Sequence, residues 1–180
     1  MKKNQIIFLS VVLVALGIYI RLTPHPANFA PMGAIALFAG AYLPKKWAIF
    51  LPLGIMFITD LFLGWYEPAV MLSVYSCLTI SFFAGQLLKQ HKNAFNVFSL
   101  AVFSAILFFV VTNFAVWAAS GWYPHTLDGL MLNYYLALPF FRNTLFSDIF
   151  YTVSLFGAYE LVKYGVWQWN LKSIASAKLN

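Results

Sequence analysis

Apolar runs nearly as long as a bilayer is thick recur along the whole chain, separated by short polar connections. A helix that crosses about 30 Å of hydrocarbon needs about 20 residues. The runs that approach this length cover residues 6–22, 28–43, 46–66, 69–88, 95–119 and 140–162. The sequence therefore predicts an all-α polytopic membrane protein, with six transmembrane helices in a single domain over residues 1–180.

The composition agrees with a bilayer as the solvent for this chain. Hydrophobic residues make up 62% of the sequence and charged residues only 9%, whereas an ordinary soluble domain is about 25% charged. A soluble domain of about 150 residues buries roughly 70% of the surface that its unfolded chain exposes. So much apolar surface could not be hidden in a soluble core, and the lipid bilayer is the predicted partner.

The basic residues favour six crossings. The net charge is +6, but these residues occur in ones and twos between apolar runs, as orientation signals do, so no nucleic-acid partner is predicted. Six crossings leave only Arg21 and Arg142 on the outer side. The lysines on the other side are Lys2, Lys3, Lys45, Lys46, Lys89, Lys92, Lys163, Lys172 and Lys178. A re-entrant second segment would destroy this pattern, and the lysine-rich side is the cytoplasmic one, so both termini are predicted in the cytoplasm.

Two outer connections are more than turns. "RLTPHPANFAP" carries three prolines, which favour an extended, non-helical segment. Residues 126–138 place apolar side chains at helical spacing between Pro124 and Pro139. This spacing predicts an amphipathic helix across the outer surface, acting either as an interfacial anchor or as a lid.

Polar side chains gather near the outer ends of the predicted helices and in the first outer loop. They are Asp60 on the third helix, Asn113 and Trp117 on the fifth, Arg142, Asn143 and Asp148 on the sixth, and Arg21, His25 and Asn28 in the loop. A charge at membrane depth costs roughly 2.5 to 3.5 kcal/mol. Retaining Asp60 and Asp148 therefore calls for a partner, a water-filled cavity or protonation. Two explanations remain open: an outward-opening pocket for a polar solute, or a structural ion-pair network that locks the helices together.

The sixth helix has one face that is predicted to point into the bundle. Thr144, Asp148 and Thr152 form a stripe at four-residue spacing. Arg142 and Asp148 are six residues apart, about 240° around a helix, so they cannot pair with each other. Asp60 and Arg21 are the available counter-groups.

Aromatic side chains and one cysteine complete the candidate site. Tyr75, Trp117, Tyr134 and Tyr135 would offer stacking surfaces to a solute. Cys77, the single cysteine, belongs either to a small-residue packing face of the fourth helix or to a soft ligand set for a metal-containing substrate. No nucleotide-binding, nucleophile or metal-ligand motif is recognised, so the protein is predicted to hold no cofactor and to be no enzyme.

Two blocks, "VTNFAVW" and "PFFRNTLFSD", carry a family resemblance that extends over residues 21–160. They closely resemble a group of small, uncharacterised bacterial inner-membrane proteins described as candidate transport proteins. These in turn look like the substrate-binding S components of energy-coupling-factor vitamin transporters. The resemblance implies a bacterial inner-membrane bundle of six helices. It also implies uptake of a small vitamin-like solute, through a site beneath the loops after the first, third and fifth helices.

The same resemblance leaves the coupling partner and the metal ligand open. S components commonly dock on a membrane coupling subunit through an Ala-x-x-x-Ala face of the first helix, and here only Ala15 and Gly17 stand in that helix. A solitary S-component-like transporter type for vitamin B12 uses a cysteine as a cobalt ligand, so Cys77 is a candidate cobalt ligand if the substrate is a cobalamin. The rival function is a non-transporting membrane scaffold, similar to cell-shape proteins that share the S-component fold, with a closed cluster in which every charge is paired.

Overall fold

The computed structural model of the protein describes the backbone of residues 3–177 and the side chains of residues 4–44 and 47–168. Within this part the chain is helical and forms no strand, which confirms the all-α prediction. The helices are α1 (Lys3–Leu22), α2 (Met32–Tyr42), α3 (Lys45–Ala48), α4 (Phe50–Leu63), α5 (Pro68–His91), α6 (Ala94–Ala119) and α7 (Leu127–Ala177). The lysine side chains outside the described part are those of Lys2, Lys3, Lys45, Lys46, Lys172 and Lys178.

Four helices are long and apolar enough to cross a membrane, and two apolar helices are shorter. The four are α1 over Asn4–Leu22, α5, α6, and α7 over Leu127–Gln168. The shorter α2 and α4 have 11 and 14 residues, or about 16 and 21 Å at 1.5 Å per residue. The predicted segments 28–43 and 46–66 therefore contain shorter helices than expected.

Contacts between helix ends define two ends of the bundle. Arg21 at the end of α1 binds Asp60 near the end of α4, and we call this end, with the connections 23–31, 64–67 and 120–126, the loop end. At the opposite end Lys89 donates a hydrogen bond to the Leu43 carbonyl over 3.2 Å. The last residues of the connection 23–31 dip into the bundle, where Pro31 is fully buried, so the short α2 begins below the loop end and still runs toward the opposite end.

The central helix of the bundle is α2, in which nine of the 11 residues are buried. A helix that is apolar on all sides belongs in a core. Where α2 meets α5, a Cβ at Gly40 would overlap the backbone of Phe82, and a Cβ at Gly85 would overlap the backbone of Leu37. These glycines let the two backbones come into contact, as small residues do in membrane helix pairs.

The predicted helices over 126–138 and 140–162 are a single helix, α7, which continues through Pro139. The prediction of a separate surface helix was wrong. Proline removes one backbone hydrogen bond, but Tyr134 and Phe141 on either side of it both pack on Phe109 of α6, with ring centroids 5.5 and 4.7 Å away. These contacts hold the helix together across the proline, and its first turns pack along α6.

Candidate functional site

Two side chains of α7 bind the connection between α1 and α2, and a third binds the start of α2. Asn143 Nδ2 donates to the Ala27 carbonyl over 2.9 Å, and Ser147 Oγ donates to the Ala30 carbonyl over 2.8 Å. The adjacent Asp148 accepts a hydrogen bond from the backbone N–H of Ala34 in the first turn of α2. The block "PFFRNTLFSD" thus holds the dipping connection and the start of α2 in place.

The Asp148 carboxylate caps the buried start of α2. The first amides of any helix lack acceptors within the helix, and Pro31 at the N-cap position makes no side-chain cap bond. A Cβ at Gly33 would collide with the Asp148 carboxylate, so only glycine lets the acid come this close. A negative charge is favourable at a helix N-terminus because of the helix dipole. This is one physical reason for an acid buried within α7, at 4% exposure.

A cavity of about 460 Å³ lies between α2, α5, α6 and α7 beneath the dipping connection. Its walls are mostly apolar, and the polar residues that line it are Arg21, Asn28, Tyr66, Ser81, Ser104, Thr112, Asn113, Thr144 and Asp148. At 1.5 Å per residue, Ser81 and Ser104 lie about 20 Å along α5 and α6 from the loop end. Small-molecule sites commonly measure about 300 to 1,000 Å³ and combine apolar walls with a few polar groups, so this cavity has the dimensions of such a site.

Two buried polar atoms of cavity-lining residues have no hydrogen-bond partner in the described part of the chain. They are Ser104 Oγ and Arg21 Nε, and Ser104 is 2% exposed. Buried polar groups in proteins are nearly always satisfied by protein or water. These two atoms therefore offer hydrogen-bonding positions to water or to a solute in the cavity.

The guanidinium of Arg21 is neutralised by Asp60 behind the cavity wall. Arg21 Nη2 lies 2.8 Å from Asp60 Oδ1, and the Tyr75 hydroxyl donates to the other carboxylate oxygen over 3.1 Å. In the connection 64–67, burial and the neighbouring Asp60 carboxylate raise the pKa of Tyr66 to about 12, so its hydroxyl stays neutral at physiological pH. Asp60 and Tyr75 thus position Arg21 and do not line the cavity themselves.

Part of the predicted site comes together at the cavity. Arg21, Asn28, Asn113, Asp148 and Cys77 line it. Asn28 holds a left-handed backbone conformation, with φ of 62°. Asn143 does not line the cavity but donates a hydrogen bond to the Ala27 carbonyl in the connection 23–31. Whether any of these residues contacts a solute stays a prediction.

Other predicted residues lie away from the cavity. Trp117 Nε1 donates to the Pro124 carbonyl over 2.9 Å, the Tyr134 hydroxyl donates to the Val110 carbonyl over 2.7 Å, and a His25 ring nitrogen lies 2.8 Å from its neighbour's carbonyl oxygen, that of Pro26. These three side chains secure connections and helix contacts near the loop end. Tyr135 is 70% exposed on the outside of α7.

The rotation of α7 separates Arg142 from Asp148. Thr144, Asp148 and Thr152 are all buried, which confirms that their stripe faces into the bundle. Arg142 is exposed, because the 240° of rotation to Asp148 carries it to the outside of α7. Arg142 does not line the cavity, and its place in the site stays a prediction.

Among the site residues that escaped prediction are Ser147, Ser104 and Gly33. Ser147 had a readable signal, since it follows Asn143 at four-residue spacing, and so did Ser104, a polar residue within the apolar α6. Gly33 had none, because nothing in the sequence shows that the start of α2 lies against the carboxylate of a distant helix.

The fold and the cavity define a class: an all-helical chain, with four helices long and apolar enough to cross a membrane, around a cavity with mostly apolar walls and a few polar groups. The chain belongs to a family of unknown function (DUF6580), whose family model matches residues 1–170. No curated protein matches the chain. No solved structure matches it either.

Proposed function

We propose that the protein binds a small solute in the interior cavity and takes part in moving it across a bacterial inner membrane. The observation that carries this proposal is the combination of a buried carboxylate, Asp148, and an unpartnered hydroxyl, Ser104, in one cavity of small-molecule size. A site that only joined helices would be expected to satisfy the Ser104 hydroxyl and to give the Asp148 carboxylate a cationic partner, since unsatisfied polar groups and unpaired charges cost free energy when buried. The vitamin-like class of the solute and a coupling subunit follow only from the resemblance to S components.

The proposed topology has six crossings with both termini in the cytoplasm. Support comes from the helix ends, because α2 and α4 run between the same two ends as the longer helices despite their length. The orientation, with the loop end outside and both termini in the cytoplasm, is supported by the asymmetry of the basic residues. Lys89, Lys92 and Lys163 lie near the end opposite Arg21. In this topology the loop end faces outward.

The cavity is proposed to open at the loop end and to be closed at the opposite end. At the opposite end Glu160 accepts the Tyr42 hydroxyl over 2.7 Å and forms an ion pair with Lys92. Next to them the ring of Phe38 packs edge-on against Phe156, with centroids 5.3 Å apart. These contacts join α2, α7 and the connection before α6, and they support an arrangement in which a solute enters from the loop end.

The scaffold alternative is favoured by one observation, the closed pair of Arg21 and Asp60. A scaffold of this kind would have every charge paired. Asp148 departs from that pattern, because no Lys, Arg or His nitrogen of the described residues lies within 4.0 Å of its carboxylate. We therefore favour solute binding.

Native mass spectrometry of the protein purified in mild detergent from its own host tests the proposal. The wild type is expected to carry a small molecule. Thr112→Trp fills the cavity and should lose the compound, whereas Val110→Trp, on the exposed side of the same helix, should keep it. Arg142→Ala should also keep it, because Arg142 lies outside the cavity. A folded wild type that carries no small molecule would contradict the proposal and favour the scaffold function.

A further inference from the structure

We infer that the solute is an organic cation, whose positively charged nitrogen lies near Asp148 and whose apolar body lies against the phenylalanines of the cavity. This inference rests on the proposed solute-binding function and names the chemical class that the site would take. It is drawn from the balance of charge around the cavity and from the distribution of its polar and aromatic groups.

The charges around the cavity leave one carboxylate without a cation. Arg21 is the cation that lines the cavity, and Asp60 neutralises it at 2.8 Å. Asp148 also lines the cavity, is 4% exposed, and has no cationic side chain of the described residues within 4.0 Å. With Asp148 ionised, the three groups sum to one negative charge; without a cation nearby, burial favours the protonated, neutral acid.

The helix that Asp148 caps compensates only part of this charge. A helix N-terminus behaves as roughly half a positive charge, and the Ala34 N–H supplies one hydrogen bond to the carboxylate. A buried ion is stable only when it is paired and its hydrogen bonds are satisfied. A cation in the cavity would complete this pairing.

An anionic solute fits the same site poorly. The positive groups that could attract an anion are Arg21, which already binds Asp60, and the N-terminus of α2, which Asp148 already occupies. An anion in the cavity would lie near the Asp148 carboxylate at low dielectric, where like charges repel strongly.

The remaining walls accommodate an apolar body. Phe108, Phe109, Phe140 and Phe141 line the cavity, and aromatic faces also attract organic cations. At the deep end, Ser104 Oγ is free to bond a polar group of the solute. A protonated amine on an aromatic or alicyclic body matches these features.

The single cysteine gives a direct measure of occupancy. Cys77 lines the cavity, so a bound molecule should protect its thiol from the neutral reagent methyl methanethiosulfonate. Three probes of similar size differ in charge: 4-phenylbutylammonium, 4-phenylbutanol and 5-phenylpentanoate. The full-length protein in detergent is titrated with each, and the concentration for half-protection is measured.

The ammonium probe is expected to protect Cys77 at a concentration at least about 30-fold lower than the alcohol, since a close buried charge pair is commonly worth 2 kcal/mol or more. The anion should protect least. Asp148→Asn keeps an acceptor for the Ala34 N–H and should abolish the preference for the cation. Asp128→Asn, at an exposed position in the first turn of α7, should retain it.

The outcomes separate the two proposals. If the wild type is protected by the ammonium ion no better than by the alcohol, the inference of a cationic solute is wrong. A host-purified protein that nevertheless retains a neutral or anionic compound would keep the proposed function and overturn only the charge assignment. Because Cys77 is 2% exposed and burial slows the reaction of a thiol, labelling continues at alkaline pH until the unfolded protein has reacted completely. A thiol that still does not react in the folded protein would contradict both.

Discussion

The Asp148 carboxylate occupies the space that a side chain at Gly33 would need, and it accepts a hydrogen bond from the backbone N–H of Ala34, the next residue of α2. This relationship joins α7 to the start of α2 in the interior of the bundle. It gives a buried acid a structural role and at the same time places it on the wall of the cavity.

Gly33→Ala is expected to destabilise the protein by about 1 to 3 kcal/mol, the usual range for overpacking in a close-packed interior. The added methyl group would displace the Asp148 carboxylate from the start of α2. Thermal unfolding in detergent measures the effect. Gly54→Ala is the matched control, because a Cβ there meets nothing within 4 Å. Equal melting temperatures for both variants would refute the placement of Asp148.

Two substitutions at Asp148 should separate its structural and binding roles. Asp148→Ala removes the acceptor of the Ala34 N–H and is expected to cost about 1 to 3 kcal/mol, the penalty for an unsatisfied buried donor. Asp148→Asn keeps a carbonyl acceptor and should cost less. Both should lose the retained solute. Denaturation curves and native mass spectra of the same samples test this, and an Asn variant as unstable as the Ala variant would count against the capping role.

Gly40→Ala should destabilise the contact between α2 and α5. Its Cβ would overlap the backbone of Phe82, and a backbone atom cannot move aside as a flexible side chain can. The cost is expected to be about 1 to 3 kcal/mol or more. Gly157→Ala, with open space around its Cβ, should instead be neutral or slightly stabilising through its helix propensity. Thermal unfolding of the pair is the measurement, and a tolerated Gly40→Ala would contradict the close crossing.

Arg21→Met should lower the free energy of unfolding by about 3 kcal/mol, because it leaves the buried Asp60 carboxylate without its counter-charge. Adding Asp60→Asn should recover part of the loss. Lys163 and Glu160 form a 3.9 Å pair in which the lysine side chain is 64% exposed, and Lys163→Met should change stability by less than about 1 kcal/mol. A double variant no more stable than Arg21→Met would show that the pair is not the source of the effect.

Much of the helical plan could be predicted from the sequence, because a membrane-crossing helix needs a long apolar run and such runs are visible residue by residue. The lengths of α2 and α4 could not, since a helix buried in protein need not match the thickness of lipid. Pro139 led to a wrong prediction for a related reason. A proline commonly ends a helix, but α7 continues through Pro139 because residues on both sides of it pack on Phe109.

The candidate site was predicted in part. Depth within the membrane indicated Asp60, Asn113 and Asp148, and helical spacing indicated the stripe that carries Asp148. The pairing of Arg21 with Asp60, and of Asp148 with the backbone of α2, depends on contacts between helices that are distant in sequence. Such contacts leave no local pattern, so the sequence alone could not decide which acid lines the cavity and which lies behind its wall.

The sidedness of Cys77 labelling in sealed membrane vesicles tests the central claim most directly, namely that the cavity is a solute site reached from the loop end. A membrane-impermeant trimethylammonium methanethiosulfonate is applied to either face, and Trp122→Cys in a Cys77→Ala background identifies the loop-end face, because Trp122 is 77% exposed in the connection 120–126. We predict that Cys77 reacts only when the reagent is on the loop-end face. Reaction only from the opposite face, or from neither, would contradict the account.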